Sequence, residues 1–148
     1  MGKYDNDGRS MMWKAAIHRR ADAWALLASG AAHARGALYV GGYAIECRLK
    51  AIAMEVHGCW TLRQLAERLQ IDENDVFTHG LEALLGHMPK TLRDNMRGTG
   101  GVWRAFAGEV NLWRPSWRYD ARPVPTERGR SFLEAADVVF KWLDANRA

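Results

Sequence analysis

The stretch of sequence that decides the fold is residues 36–55, GALYVGGYAIECRLKAIAME. Read at about 3.6 residues per turn, it carries two rows of side chains that run along one helix roughly 90–100° apart. The first row is aliphatic and consists of Leu38, Ile45, Leu49, Ile52 and Val56. The second row is polar and aromatic and consists of Tyr39, Tyr43, Glu46 and Lys50. The pattern predicts a long helix whose aliphatic row faces a core, with the polar row beside it.

Two adjacent glycines, Gly41 and Gly42, lie between these rows. A glycine inside a helix costs about 1 kcal/mol relative to alanine. That loss is usually tolerated where another helix must approach the backbone closely. We therefore expect a neighbouring helix to pack against the predicted helix at this point.

The polar row has two interpretations. Glu46 and Lys50 are spaced i,i+4, and on a solvated face they would form a pair that contributes a few tenths of a kcal/mol. Alternatively, two tyrosines, a carboxylate and an amine beside an aliphatic face form a polar cluster inside a helical bundle.

Arg20 falls in the apolar stripe of the preceding helix, so its stem reaches out to solvent or its guanidinium meets an internal carboxylate, for which Glu46 is the candidate.

Three short motifs give the chain a family resemblance. Residues 37–50, A-x-Y-x-x-G-Y-A-I-E-C-x-L-K, resemble the second-helix signature of HEPN domains, small helical bundles of prokaryotes and higher eukaryotes. Residues 78–85, THGLEALL, resemble the His-x-Leu-x-x-Leu helix start of that family, and residues 113–119, WRPSWRY, resemble its Trp-x-Pro-x-x-Arg-Tyr turn. The motifs occur in the family's order, and the resemblance covers roughly residues 11–145.

The chain as a whole is predicted to be all-α: a single-domain, up-and-down helical bundle of about five main helices. Residues 1–10 are polar and are expected to form a flexible N-terminus, and residues 11–146 form the HEPN-like domain. Periodicity and caps place helical segments at residues 10–29, up to 58, 62–69, 79–87, 91–97, 102–113 and from 126 onward. Two prolines predict an extended or turning segment at residues 116–125.

Composition excludes several classes of protein. The 148 residues are 48% hydrophobic and 26% charged, which is typical of one globular domain. No run approaches the ~18 apolar residues of a membrane span, and residues 1–14 lack the apolar segment of a secretion signal. The two cysteines, Cys47 and Cys59, form no CxxC pair, so we expect free thiols and a cytoplasmic protein.

Positive charge is concentrated in one part of the chain. Residues 90–130 hold nine Lys and Arg against four Asp and Glu, whereas the whole chain has a formal charge of +4. Interleaved tryptophans make this stretch compatible with a phosphate-bearing partner. The alternative is an arginine-rich surface that pairs with acidic side chains of neighbouring helices.

The resemblance also sets an expectation for chemistry. Catalytic HEPN ribonucleases carry an Arg-x(4–6)-His motif, whose arginine and histidine act on the scissile phosphate without a metal. Here the nearest spacings are Arg9 to His18 and Arg48 to His57, each with eight intervening residues, and no histidine follows His87. The chain therefore departs from the ribonuclease pattern, and whether it is an enzyme stays open.

What remains is a candidate site with two interpretations. The resemblance makes His79 and Arg118 the candidate catalytic pair. Tyr39, Tyr43, Glu46, Lys50 and Tyr119 would either bind a nucleotide phosphate and base or form an internal polar network. In the network, Glu46 and Lys50 meet Arg118 and Tyr119 and fix the extended segment to the second helix. No metal or other cofactor is expected.

Three functions fit this sequence. The first is a nucleotide- or RNA-binding protein of a prokaryotic toxin–antitoxin or antiviral defence system. The second is a metal-independent ribonuclease toxin that uses the atypical His79/Arg118 pair. The third is a non-catalytic scaffold that recruits a partner protein. The resemblance implies a homodimer with a nucleotidyltransferase as a possible partner, RNA or a nucleotide as the ligand, and no membrane.

Overall fold

The structure, a computed structural model, describes residues 8–147, and these residues form a helical bundle. The only β-type pairing among them is an isolated bridge between Gly8 and Thr61. The eight α-helices are α1 (Arg9–Ala28), α2 (Ala34–Val56), α3 (Leu62–Leu69), α4 (Glu73–Val76), α5 (Leu81–Leu85), α6 (Lys90–Gly98), α7 (Gly100–Gly108) and α8 (Thr126–Asn146). Short 3₁₀ helices lie at Ala31–His33, Val110–Leu112 and Pro115–Tyr119.

Helix α2 is the central element of the bundle. It packs most extensively against α1 and also contacts α8, α5, α3 and the 3₁₀ helix Pro115–Tyr119. From Gly41 to Met54 every side chain except Tyr43 is buried. Four of the five aliphatic residues are therefore in the core, as predicted, and Val56 is partly buried. In the polar row Glu46 and Lys50 are buried, whereas Tyr39 and Tyr43 are only half-buried.

The glycine pair does allow close packing, as the sequence predicted. A Cβ built on Gly41 would lie 2.5 Å from Cδ2 of Leu133 in α8. A Cβ on Gly42 would overlap the indole ring of Trp113. Trp113 lies between two 3₁₀ helices and is not part of an α-helix. Gly41 therefore allows α8 to approach α2, and Gly42 makes room for the ring of Trp113.

The all-α class is confirmed, but the count of about five main helices is wrong, because the described residues form eight α-helices. The difference lies in the middle of the chain. The predicted helix at residues 79–87 shrinks to α5, whose N-cap is Gly80. The predicted helix at residues 102–113 starts earlier, at Gly100, and ends at Gly108, after which a 3₁₀ helix takes over. The predicted extended segment at 116–125 begins instead with a 3₁₀ helix that follows from Pro115 at its first position.

The start of the domain also differs in detail from the sequence prediction. Helix α1 begins at Arg9 with Gly8 as N-cap, one residue before the predicted start at residue 10. The Arg9 amide donates to the carbonyl of Trp60 over 2.9 Å, which ties the beginning of α1 to the loop after α2. The flexible N-terminus predicted at residues 1–10 otherwise falls on residues 1–7, which lie outside the described part of the chain.

Arginines, and not only apolar side chains, join α1 and α2 to α8. Nε of Arg20 lies 2.7 Å from Oδ1 of Asp137, so the candidate pairing of Arg20 with Glu46 is wrong. Arg48 of α2 is 1% exposed, and its guanidinium lies between the rings of Trp13 and Phe140, 3.6 and 4.5 Å from their centroids. Burial lowers the pKa of Arg48 from its ordinary value.

Candidate functional site

The centre of the candidate site is the carboxylate of Glu46, which is 2% exposed. Its Oε2 accepts a hydrogen bond from Nζ of Lys50 over 3.1 Å, and its Oε1 lies 2.7 Å from Nδ1 of His79. The Lys50 side chain is 5% exposed, whereas that of His79 is 56% exposed. The interpretation of Glu46 and Lys50 as a solvated pair is therefore wrong, since both charges are out of water and satisfy each other.

Local structure explains how these three side chains meet. Glu46 and Lys50 are one turn apart on α2, so their side chains lie on the same face. His79 lies in the loop before α5, where Oγ1 of Thr78 accepts a hydrogen bond from the amide of Gly80 over 3.2 Å. Because α5 packs on α2 through its buried leucines, this loop holds the imidazole over Glu46.

The Glu46–His79 contact fixes which ring nitrogen is available. An ionised carboxylate only accepts hydrogen bonds, so Nδ1 of His79 must carry the proton. In the neutral ring Nε2 is then an unprotonated acceptor on the half-exposed side of the imidazole. A histidine oriented in this way by a buried carboxylate can hydrogen-bond a ligand or transfer a proton.

Tyr43 and Cys47 extend the site along α2. Burial, with added repulsion from Cys47 and Glu46, raises the pKa of Tyr43 to about 12. Burial and the negative charge of Glu46 raise the pKa of Cys47 to about 11. Both groups stay protonated at neutral pH, and Cys47 is therefore not a nucleophile there. Sequence reasoning did not include Cys47 in the site, although its i,i+4 spacing from Tyr43 was the available signal.

Tyr39 continues the row toward the other end of the site. Its ring stacks on that of Tyr43, with centroids 6.4 Å apart, and on that of Trp113, at 6.1 Å. Nε1 of Trp113 donates to the backbone carbonyl of Tyr39 over 3.0 Å, which fixes the indole against Gly42. The three rings form an aromatic row beside Glu46, in which Tyr39 and Tyr43 are partly exposed and Trp113 is buried.

Arg118 and Tyr119 do not join the buried pair. Nη2 of Arg118 donates to the hydroxyl of Tyr119 over 2.5 Å, and Tyr119 is 75% exposed. The hydroxyls of Tyr119 and Tyr39 raise the pKa of Arg118. The predicted network in which Glu46 and Lys50 meet Arg118 and Tyr119 is therefore wrong: the acceptor of Lys50 is Glu46, and Arg118 reaches the row only at Tyr39.

Other contacts hold the segment after Pro115 on the bundle. The ring of Trp117 meets that of Phe132 edge-on at 5.8 Å. Asp120 lies 3.6 Å from Nη1 of Arg35 and also binds Arg122, which holds the pKa of its carboxyl well below the ordinary value. The segment is anchored by these contacts, and this leaves Arg118 at the surface.

The basic stretch at residues 90–130 keeps its excess charge. Its four acidic residues pair within the stretch, as Lys90–Asp94, Arg128–Glu109, Arg122–Asp120 and Arg130–Glu127. The five remaining arginines form no ion pair with a described residue; they are Arg93, Arg97, Arg104, Arg114 and Arg118. Pairing therefore neutralises only part of the surface, and a phosphate-bearing partner for this stretch stays a prediction.

Within residues 8–147, no group of three or more His, Cys, Asp and Glu side chains is placed to hold a metal ion. None of the helices in that range is long and apolar enough to cross a membrane. Comparisons of the chain with protein-family models, with curated proteins and with solved structures give no match.

Proposed function

We propose that this protein binds RNA or nucleotides on the face formed by Tyr39, Tyr43, His79 and Arg118. The observation that carries the proposal is the 2.7 Å contact between buried Glu46 and half-exposed His79. A buried, paired carboxylate that orients a solvent-facing imidazole fixes a hydrogen-bonding group at a surface. A structural role alone would not require the imidazole to stay exposed.

The neighbouring side chains suit the same ligand. Tyr39 and Tyr43 offer ring surface on which bases stack, at about 1–3 kcal/mol per base. Arg118 is a cation without a carboxylate partner among the described residues, and its fork fits a phosphate. The unpaired arginines of the basic stretch add a sequence-independent attraction for the backbone of RNA.

The test is binding of a fluorescently labelled, short single-stranded RNA, measured by anisotropy at low and at physiological salt. We expect His79→Ala and Arg118→Ala each to weaken binding several-fold, and added salt to weaken it further. Lys141→Gln serves as the control, because it removes an exposed lysine of α8 that is not part of the proposed face. RNA binding that is the same in all four proteins contradicts the proposal.

A metal-independent ribonuclease is the second candidate, and one observation favours it. Glu46 occupies Nδ1 of His79, so Nε2 is the nitrogen that can take or give a proton at an RNA 2′-hydroxyl or leaving oxygen. Cleavage of RNA by the purified protein in the presence of a chelator, lost in His79→Ala, would establish this activity. Intact RNA under those conditions leaves binding as the function.

The resemblance to HEPN domains extends the proposal to the cellular setting. On that basis the protein is a cytoplasmic homodimer that works with a nucleotidyltransferase in a toxin–antitoxin or antiviral defence system. Co-expression with the product of the neighbouring gene, followed by size-exclusion chromatography, tests both the dimer and the partner. A monomer that binds no such protein contradicts this part while leaving the RNA-binding test unaffected.

A further inference from the structure

A second cleft, which shares no residue with the Glu46–His79 site, lies where the start of α1, the end of α2 and the end of α8 meet. Its volume is about 320 Å³. The residues that give it its character are Arg9, Trp13, Lys14, Glu55, Trp60 and Arg147. We call it the tryptophan–arginine cleft. Its volume is at the lower end of the range of about 300–1,000 Å³ for small-molecule sites.

Trp60 is the most exposed large apolar side chain of this cleft, at 61%. Its backbone is nevertheless held on both sides, because its carbonyl accepts from the amide of Arg9 and its amide donates to Oε1 of Gln64 over 2.8 Å. The guanidinium of Arg9 lies 3.5 Å from the ring centroid and covers one face of the indole. Trp60 therefore presents a largely exposed indole on a backbone that is held in place.

Trp13 also lines the cleft, and its ring contacts two arginines. The guanidinium of Arg147 lies 4.3 Å from the Trp13 centroid, and the buried guanidinium of Arg48 lies 3.6 Å from the same ring. An arginine that lies flat on an indole keeps its N–H edge free for an anion. The guanidinium groups of Arg9 and Arg147 therefore each lie over a tryptophan ring at the rim of one cleft.

The charge of the cleft is positive and largely uncompensated. Three cations, Arg9, Lys14 and Arg147, face one carboxylate, Glu55. Glu55 approaches only Nε of Arg147, at 3.8 Å. Neither Arg9 nor Lys14 forms an ion pair or a side-chain hydrogen bond with another residue in the described range. An anion would therefore meet two cations that have no acidic partner within residues 8–147.

We propose that the tryptophan–arginine cleft binds a nucleotide, with the base packed against the exposed indole of Trp60 and the phosphate held by Arg9, Lys14 and Arg147. Indole surface beside free guanidinium groups recognises the combination of a flat aromatic base and a phosphate. The same chemistry can come from a free mononucleotide or from the 5′-phosphorylated end of an RNA strand.

Isothermal titration calorimetry with adenosine 5′-monophosphate, adenosine and inorganic phosphate as separate probes tests this site. We expect the monophosphate to bind at least about tenfold more tightly than either part alone, and Trp60→Ala to weaken it by about tenfold or more. Lys14→Gln should weaken it several-fold, while Lys141→Gln, an exposed helical lysine outside the cleft, should leave it unchanged. Because Trp60 and Lys14 are exposed, the variants should keep the melting temperature of the parent.

A competition experiment distinguishes a free nucleotide from an RNA end as the source of the ligand. Displacement of the monophosphate by a 5′-phosphorylated RNA, but not by its 5′-hydroxyl counterpart, supports an RNA end, and failure of both RNAs supports a free nucleotide. His79→Ala should bind the monophosphate normally, which separates this site from the proposed RNA-binding face. Absence of a binding heat for the monophosphate, equal affinity for phosphate alone, or unchanged affinity in Trp60→Ala overturns the proposal.

Discussion

Oε1 of Glu46 lies 2.7 Å from Nδ1 of His79, although the carboxylate is almost fully buried and the imidazole is half exposed. The contact therefore connects the interior of the bundle to its surface. On the inner side Glu46 is paired with Lys50, and their attraction offsets the cost of burying both side chains. On the outer side it sets the tautomer of a group that meets solvent.

The first prediction concerns the buried pair. Glu46→Ala leaves Lys50 buried without its acceptor and should lower the free energy of unfolding by about 3–5 kcal/mol. Replacing both residues with apolar ones of similar size, Glu46→Leu with Lys50→Met, should restore most of that loss. Urea denaturation of the two variants and the parent measures the difference. A single variant as stable as the parent would show that Lys50 finds water or another partner.

The second prediction uses three glycines of α2 as internal controls. Gly42→Ala should destabilise by about 1–3 kcal/mol, because the added methyl overlaps the Trp113 ring, which is itself held by its bond to Tyr39. Gly41→Ala overlaps only the end of the Leu133 side chain, since its other contacts are at ordinary distances, and should cost less. Gly36→Ala meets nothing closer than 3.8 Å and should stabilise by up to about 1 kcal/mol. Thermal unfolding of the series gives the order, and a different order contradicts the packing described for Trp113.

Periodicity predicts α2 and the burial of its aliphatic row, because helical spacing is a local property. The two rows follow from helical spacing. Gly41 and Gly42 predict that another element packs closely against α2, but they do not indicate which element. The neighbour of Gly42, Trp113, is a partner 71 positions away in the chain, and no local pattern encodes such a distance. The same limit explains why the sequence wrongly predicts that Arg118 lies beside Glu46. The position of Arg118 depends on how Trp117 and Asp120 anchor the segment after Pro115.

Arg48 shows a different limit. It lies on the side of α2 that faces away from the polar row, where a charged residue is ordinarily predicted to be solvated. Its burial depends on two rings from other helices, Trp13 and Phe140, and on Asp144 at 3.2 Å. His79, in contrast, was correctly grouped with Glu46, because the motif around it resembles one that accompanies the α2 signature.

The third prediction concerns alkaline pH. Folding raises the pKa of Cys47 from 9.0 to about 11 and that of Tyr43 from 10.0 to about 12, first through burial. The unfolded chain therefore releases these protons at lower pH than the folded chain, and the stability that the neutral groups contribute is complete below pH 9 and lost as pH rises toward 12. Chemical denaturation across this range should show the decline. Cys47→Ala with Tyr43→Phe should flatten it, and an equally steep decline in that double variant would assign it to other groups.

The fourth prediction separates the charge of Arg48 from its packing. Nε and Nη1 of Arg48 have no hydrogen-bond partner although they are buried, so the guanidinium is held mainly by ring contacts and by Asp144. Arg48→Met keeps a long stem between Trp13 and Phe140 and removes the desolvated charge, so stability should stay within about 1 kcal/mol of the parent or rise. Arg48→Ala removes the stem as well and should cost about 2–5 kcal/mol, in the range of a large-to-small core substitution.

Urea denaturation distinguishes the two variants, with Arg104→Met, an exposed arginine of α7, as the control for a lost surface charge. If Met and Ala were equally damaging at position 48, the charge and its attraction to Asp144, and not the packed stem, would hold α2 to α1 and α8.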